Sequence, residues 1–201
     1  MQCYNMEVYL VRHTSVDVPR GICYGQSDVP VRDTFPQEAA AVKAKLQHLV
    51  EKGFLPDSAP VEASHAGQPL HFDAVYTSPL RRCTSLAEFC GYGDALREQR
   101  IKEMNFGNWE MQDYSAIKDP HLQVWFNDWV NVRTSGGESF ADQLHRVGEF
   151  LQELKDAGKE NVLLFCHGGV LACAKVLGGK IGVREAFSTL DDYGSIIKVT
   201  I

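Results

Sequence analysis

Glu7-Val8-Tyr9-Leu10-Val11-Arg12-His13-Thr14 is the stretch that decides the fold. Its central residues, 8–11, are all apolar, which is typical of a strand covered on both faces rather than half-exposed to solvent. In open α/β sheets, ligands bind just beyond the carboxyl ends of such strands. We therefore interpret His13 as a candidate nucleophile and Arg12 as an anion-binding group. The alternative is a strand that ends in two polar surface residues.

A second apolar segment, 72–77, also predicts a strand that leads directly into a helix. Ser78 and Pro79 have the residue types favoured at an N-cap and at the first helical position, so the helix is predicted to begin at Pro79. Its first turn carries Arg81 and Arg82, whose charge opposes the helix dipole. Together with the free backbone N–H groups of that turn, however, an arginine forms an anion site. The alternative is a pair of solvated arginines.

The segment 161–166 predicts a third buried strand, and it ends in His167-Gly168-Gly169 before another helix. His167 thus repeats the placement of His13. The remaining elements are predicted helices at 36–51, 119–130 and 140–158 and a last strand at 195–201. This alternation favours an α/β fold, with helices on both faces of a largely parallel central sheet. We expect one domain over 1–201, with a surface loop insertion at 56–70.

The composition restricts the classes of partner. A formal net charge of −6 argues against a nucleic-acid-binding protein, which needs a basic face. No apolar run is long enough to cross a membrane. The six cysteines include no CxxC pair, and no secretory signal precedes them, so we expect a reduced, cytoplasmic protein. The sequence leaves the oligomeric state open, and a homo-oligomer is compatible with it.

Four groups are expected to converge at strand ends and helix starts: Arg12 with His13, Arg82 or Arg81, His167, and an acid of the 101–110 segment. Two imidazoles and two guanidiniums suit phosphoryl transfer, in which catalysis consists of positioning and charge stabilisation. A neutral imidazole can attack phosphorus, a cationic His167 would help to balance charge, and a carboxylic acid would protonate the leaving group. The sequence offers no Asp cluster for Mg²⁺ and no nucleotide-binding loop, so no metal or cofactor is expected.

Five segments, in order along the chain, resemble the motifs of a known family. They are Val11-Arg12-His13-Thr14, Thr77-Ser78-Pro79-Leu80-Arg81-Arg82-Cys83, Glu103-Met104-Asn105-Phe106-Gly107-Asn108-Trp109-Glu110, Gly136-Gly137-Glu138-Ser139 and Cys166-His167-Gly168-Gly169. The family is the histidine phosphatase superfamily, which includes cofactor-dependent phosphoglycerate mutases. The resemblance implies a three-layer α/β/α sandwich. It also implies that Arg82 rather than Arg81 binds phosphate, that Glu103 is the proton donor and that His167 is the second active-site histidine.

Within that family, one loop resembles the α-ribazole-5′-phosphate phosphatase branch of cobalamin nucleotide-loop assembly. The loop is Gly21-x-Cys23-Tyr24-Gly25-x-x-Asp28-x-Pro30, and the resemblance implies that Tyr24 and Gly25 approach the substrate. Other positions depart from the mutase-type pattern, namely Thr14, Val16, Pro19 and Met111. Thr14 and Met111 replace glycines, whereas Val16 and Pro19 stand where polar residues are common. Two polar phosphate contacts are therefore missing, and a mutase needs such contacts more than a phosphatase does.

The sequence thus predicts a metal-independent phosphomonoesterase that forms a phosphohistidine on His13. The predicted substrate is a small phosphorylated metabolite, α-ribazole 5′-phosphate. The alternatives are a broad-specificity or sugar-phosphate phosphatase, a phosphoglycerate mutase, and a catalytically silent protein that binds a phosphorylated ligand. The joint presence of His13, Arg12, Arg82, Glu103 and His167 argues against a silent binder.

Overall fold

The computed structural model describes residues 5–52 and 69–201. Its strands are β1 (Glu7–Arg12), β2 (Ala74–Thr77), β3 (Leu96–Arg97), β4 (Asn161–Cys166) and β5 (Ile196–Thr200). Its α-helices are α1 (Phe35–Lys52), α2 (Arg81–Phe89), α3 (His121–Asn127), α4 (Phe140–Asp156) and α5 (Gly168–Leu177). Short 3₁₀ turns occur at Gln99–Ile101, Gly107–Trp109 and Val183–Glu185.

The five strands form one sheet in the order β3-β2-β4-β1-β5. Strands β3, β2, β4 and β1 run parallel, and β5 is antiparallel to β1 at the edge. Parallel neighbours require crossover connections, and the helices supply them on both faces of the sheet. The predicted α/β sandwich with a largely parallel central sheet is therefore confirmed.

Strand β1 shows why the sheet needs a helical layer on each face. Val8 and Leu10 belong to a core cluster with residues of α4 and α5. Tyr9 and Val11 point the other way, into a cluster with residues of α1 and α2. None of these four side chains is more than 4% exposed, so the predicted burial of β1 on both faces is confirmed.

The predicted start of α2 is wrong by two residues. The helix begins at Arg81, and its N-cap is Leu80, which makes no side-chain capping bond. The Ser78 hydroxyl accepts a long hydrogen bond from the backbone N–H of Leu80 at 3.4 Å, and its shorter contact, at 2.7 Å, is with Nε2 of His167. Ser78 therefore has a partner on a neighbouring strand end, and a local rule for N-caps does not capture its role.

Two further differences concern weak local signals. Strand β3 consists of two exposed residues, which pair with Tyr76 and Thr77 of β2 and carry no apolar pattern. The helix predicted over 119–130 is shorter, since α3 covers only His121–Asn127. The predicted surface loop at 56–70 lies, up to residue 68, outside the described residues. In the part of the chain that is described, no helix is long and apolar enough to cross a membrane.

The central strand β4 should dominate stability. Leu164 in β4 is fully buried, whereas Leu96 on the edge strand β3 is 58% exposed. We expect Leu164→Ala to lower the free energy of unfolding by about 2–5 kcal/mol, because it leaves a cavity in the core. Leu96→Ala, the matched control, should change it by no more than about 0.5 kcal/mol. Urea denaturation measures both, and equal losses would contradict the assignment of β4 to the core.

Candidate active site

The parallel register brings the candidate residues together. Arg12 of β1 lies beside Cys166 of β4, so the residues that follow them, His13 and His167, emerge next to each other. The centroids of the two imidazole rings are 5.2 Å apart. Both histidines are buried, at 2% and 0% exposure. The two histidines at the ends of β1 and β4 therefore lie side by side, as the sequence predicts.

The hydrogen bond of His13 fixes which ring nitrogen is free. Nδ1 lies 2.7 Å from the carbonyl oxygen of Thr14, which can only accept, so Nδ1 carries the proton of the neutral ring. Nε2 then holds a lone pair, and no described residue occupies it. Burial, followed by the charges of Arg82 and Arg12, holds the pKa of His13 well below 6.5. His13 is therefore a neutral imidazole near pH 7.

Arg82 is the largest charged group in the interior. It is fully buried, and its guanidinium donates to the carbonyl oxygens of Ser27 at 2.8 Å and Gly25 at 2.5 Å. Its Nε donates to Nδ1 of His167 at 3.3 Å. No carboxylate of the described chain forms an ion pair with it. The neighbouring Arg81 has an exposed side chain, paired with Asp28.

The state of His167 differs from the expected one. Because Nδ1 accepts from Arg82, Nε2 carries the proton and donates to the Ser78 hydroxyl at 2.7 Å. Burial, then the charges of Arg82 and of His13, lower the pKa of His167 well below 6.5. His167 is therefore neutral rather than cationic in the site as this structure has it, because a buried guanidinium 3.3 Å away disfavours a second positive charge. A cationic His167 during phosphoryl transfer stays a prediction.

Arg12 is covered by the C-terminal part of the chain. Its guanidinium lies 4.3 Å from the ring centroid of Tyr193 and donates to the carbonyl oxygen of Asp191. Its Nε is buried without a partner among the described residues. A Cβ at Gly168 would lie 3.1 Å from the guanidinium carbon, so the first glycine after His167 makes room for Arg12.

The two acids of the 101–110 segment have different surroundings. Glu103 accepts three hydrogen bonds, from the backbone N–H groups of Met104 at 2.9 Å and Gly169 at 3.1 Å and from the Gln143 amide at 3.0 Å. Glu110 accepts from the backbone N–H groups of Gln26, Ser27 and Phe106 instead. Glu103 therefore lies at the site, whereas Glu110 holds the loop whose carbonyl groups bind Arg82.

A cavity of about 290 Å³ opens beside His13. Arg12, His13, Tyr24, Glu103 and Gly169 form its polar part. The rest of the wall is apolar or aromatic and consists of Ile22, Met104, Phe106, Tyr114, Trp125, Phe187 and Leu190. The cavity thus combines charge and a nucleophile with a surface for an apolar group.

Not every predicted site residue reaches this cavity. Arg82 and His167 are adjacent to His13 but do not line it. Gly25, expected to approach the substrate, lies behind the wall. Its carbonyl oxygen accepts from Arg82, and a Cβ there would overlap the carbonyl oxygen of Met104. Gly25 therefore supports Arg82, and Tyr24 alone of the pair lines the cavity.

Sequence reasoning missed several residues of the site. Tyr193 covers Arg12 and lies 5.5 Å from the His13 ring, and its hydroxyl is 2.6 Å from that of Tyr24. Phe187 and Leu190 complete the apolar wall, and Gln143 binds Glu103. Phe187, Leu190 and Tyr193 carried no local signal, since they lie far along the chain from the motifs. Gln143 closely follows the Gly136-Gly137-Glu138-Ser139 motif, but only its contact with Glu103 in the folded chain marks it. Among the described residues, no group of three or more His, Cys, Asp or Glu side chains is arranged to hold a metal ion.

The buried neutral histidines predict a pH-dependent stability. Their pKa values are lowered in the folded state, so below about pH 6.5 the unfolded chain binds more protons. The contribution of the two neutral histidines to the free energy of unfolding should therefore be complete above that pH. It should be lost as the pH drops towards their lowered pKa values. His167→Asn removes one such group, and its slope should be smaller by up to about 1.4 kcal/mol per pH unit.

Urea unfolding between about pH 7.5 and about pH 5.5 measures this slope for both proteins. Every other ionisable group is common to them and cancels in the difference of the two slopes. Equal slopes would mean that His167 is not held neutral in the folded protein.

The chain resembles known proteins in sequence. Phosphoserine phosphatase 1 of Hydrogenobacter thermophilus is 29% identical over 92 residues, which are 42% of this chain and 43% of that protein. A further protein of the same bacterium is 29% identical over 133 residues, 63% of this chain and 66% of that protein. The chain thus spans at most about two thirds of the length of the curated relatives it matches.

The fold has close structural counterparts, and a family model matches most of the chain. The α-ribazole phosphatase of Shigella flexneri has a TM-score of 0.75 at 22% identity, over 96% of this chain and 89% of that one, which shows a shared fold. The model of the histidine phosphatase superfamily (branch 1) matches residues 61–201, a range that contains Arg82, Glu103 and His167. Because this match covers well over half of the sequence, the chain belongs to the histidine phosphatase superfamily.

Proposed function

We propose that the protein is a phosphomonoesterase that acts through a phosphohistidine on His13. The observation that carries the proposal is the hydrogen bond from Nδ1 to the Thr14 carbonyl, which leaves the Nε2 lone pair unoccupied. Burial and two neighbouring guanidiniums keep the pKa of this imidazole low, so the nucleophile needs no prior deprotonation. Membership of the histidine phosphatase superfamily supports the same chemistry.

The first half of the proposed reaction transfers the phosphoryl group to His13. Nε2 attacks phosphorus, the P–O bond to the leaving group breaks, and the proton of the Glu103 carboxyl passes to the leaving oxygen. Arg12 and Arg82 offset the charge on the equatorial oxygens, the largest contribution in this class of reaction. Proton donation by a positioned acid contributes about 10²–10⁴ in rate.

The second half hydrolyses the phosphohistidine. The Glu103 carboxylate takes a proton from water as the water oxygen attacks phosphorus, and the P–N bond breaks. Nε2 regains its lone pair, Glu103 regains its proton, and inorganic phosphate leaves. The positive charge that this reaction requires comes from side chains of the chain itself, so the proposal includes no metal ion or cofactor.

The wall of the cavity supports a substrate with a flat apolar ring. Beyond Arg12 and Glu103, no charged side chain of the described residues lines it, so an amino acid headgroup such as that of phosphoserine would lie unpaired there. The benzimidazole base of α-ribazole 5′-phosphate matches the aromatic wall formed by Phe106, Tyr114 and Trp125. The sequence of the Tyr24 loop also favours this substrate. We therefore infer α-ribazole 5′-phosphate as the preferred substrate.

The cysteines support a cytoplasmic site of action. The five that the structure describes, Cys23, Cys83, Cys90, Cys166 and Cys173, are free thiols and are buried. Burial raises the pKa of each of them, which favours the uncharged thiol over the reactive thiolate. Such thiols persist in a reducing compartment, and the proposal includes that localisation.

The two adjacent arginines give a matched pair of variants. Arg82→Ala should lower kcat/KM by about 10²–10³-fold, because it removes a preorganised buried charge that acts on His13 and His167. Arg81→Ala loses only an exposed ion pair with Asp28 and should change kcat/KM by less than about fivefold. Steady-state kinetics with an aryl phosphate measures both variants. A larger loss for Arg81→Ala would mean that the two roles are exchanged.

The substrate proposal is tested with purified protein in EDTA. We expect kcat/KM for α-ribazole 5′-phosphate to exceed that for phosphoserine, a sugar phosphate and an aryl phosphate by at least about tenfold, the size expected from apolar pocket contacts. Comparable low values for all four would agree with the phosphohistidine mechanism but exclude α-ribazole 5′-phosphate as the preferred substrate. Activity only with added metal would overturn the mechanism.

The nucleophile is tested separately. His13→Ala should abolish turnover and the acid-labile phosphoryl label that a quenched reaction leaves on the protein. His145→Ala, whose side chain is 76% exposed on α4, serves as the control and should retain both. A His13→Ala protein that still turns over substrate would exclude the phosphohistidine on that residue.

A further inference from the structure

The amide of Gln143 lies against the proton donor of the proposed reaction. Gln143 is on α4 and is fully buried, and its Nε2 donates to Oε1 of Glu103 at 3.0 Å. Its own Oε1 is also buried and accepts no hydrogen bond from any described residue. A buried amide oxygen without a partner is costly and uncommon in folded proteins, so it requires an explanation.

The other two partners of the Glu103 carboxyl group, the backbone N–H groups of Met104 and Gly169, can only donate. They suit the carboxylate and offer nothing to the O–H of the protonated acid. Gln143 is different, because a primary amide carries a donor and an acceptor at nearly equivalent positions. Rotation of the amide by half a turn would place its unpartnered oxygen towards Glu103.

We propose that Gln143 is a positioning residue that holds Glu103 in both of its protonation states. Its N–H binds the carboxylate, as in this structure, and its C=O accepts the O–H of the acid after the amide rotates. The amide oxygen then has no hydrogen-bond partner while Glu103 is ionised, as in this structure. This inference rests on the proposed function, because it requires Glu103 to gain and lose a proton in each cycle.

Local packing leaves room for the amide and explains a neighbouring glycine. A Cβ at Gly169 would lie 2.9 Å from both Nε2 and Oε1 of Gln143 and would overlap Oε1 of Glu103. The second glycine after His167 therefore gives space to the Glu103–Gln143 pair rather than to a ligand alone. The loop of Glu103 is held independently, since Arg146 donates to the carbonyl oxygens of Arg100, Lys102 and Glu103. A loss of the Gln143 amide should therefore leave the loop in place.

The test is Gln143→Met, which keeps the length of the side chain and removes both hydrogen-bonding groups. The control is Gln152→Met, the same change at an exposed position of the same helix. We expect Gln143→Met to lower kcat for an alkyl phosphate by about 10–100-fold, because a poor leaving group needs the proton donor. For an aryl phosphate, which leaves unaided, the loss should be below about threefold, and KM should change little for either substrate.

A purely structural role is distinguished by a double-mutant cycle. In a Glu103→Gln background, Gln143→Met should have no additional effect on the alkyl phosphate, because residues that act as a unit are not additive. Equal losses for alkyl and aryl phosphates, an additive effect in the Glu103→Gln background, or no loss at all would each overturn the inference. Gln143→Leu is the second variant if thermal melting shows that the methionine variant does not fold.

The failure of this inference is distinguishable from the failure of the proposed function. If the wild-type protein hydrolyses both phosphates and the Gln143 variants behave like the Gln152 control, only the role of Gln143 is excluded. If the wild-type protein hydrolyses neither phosphate, the proposed function is overturned, and the role of Gln143 is overturned with it.

Discussion

The buried guanidinium of Arg82 is the constraint on which the rest of the site depends. Its partners are two carbonyl oxygens and one imidazole, and no carboxylate of the described chain neutralises it. A buried charge with neutral partners costs free energy unless every donor is satisfied. The loop of Gly25 and Ser27 satisfies two of them, and Glu110 fixes that loop through backbone N–H groups. Without this arrangement, the Arg82 guanidinium could not be buried in the first turn of α2.

The same charge determines the state of both histidines. It lowers the pKa of His13 and of His167, and burial acts in the same direction. A phosphate dianion bound in the cavity beside His13 would oppose the field of Arg82 and favour a proton on His167. The neutral state of His167 and a charge-balancing role during turnover are therefore compatible, since the ligand itself would supply the change in charge.

Whether a site residue could be predicted from the sequence depends on whether its contacts are local or long-range. His13 and His167 could be predicted to meet, because each follows a buried parallel strand and such strands end at one edge of a sheet. The N-cap rule does not predict the contact of Ser78 with His167, since that contact joins positions 89 residues apart. The sequence gives no indication that Tyr193 belongs to the site, because its contacts with Arg12 and His13 also join distant positions. Met111, where the family motif has glycine, keeps a φ of 62°, so the turn persists without the residue that predicts it.

The polar and the apolar lining of the cavity come in part from different segments of the chain. Glu103 is tied through backbone carbonyl groups to Arg146 of α4, which is itself paired with Glu138. The aromatic wall instead comes from residues between the core elements, such as Phe106 and Phe187. Substitutions at Phe187 or Leu190, which are far from Glu103 along the chain, can change which leaving group fits without moving the proton donor. The sheet and α4 thus fix the groups that act on the phosphoryl group, and residues beyond α5 contribute to the choice of the group that carries it.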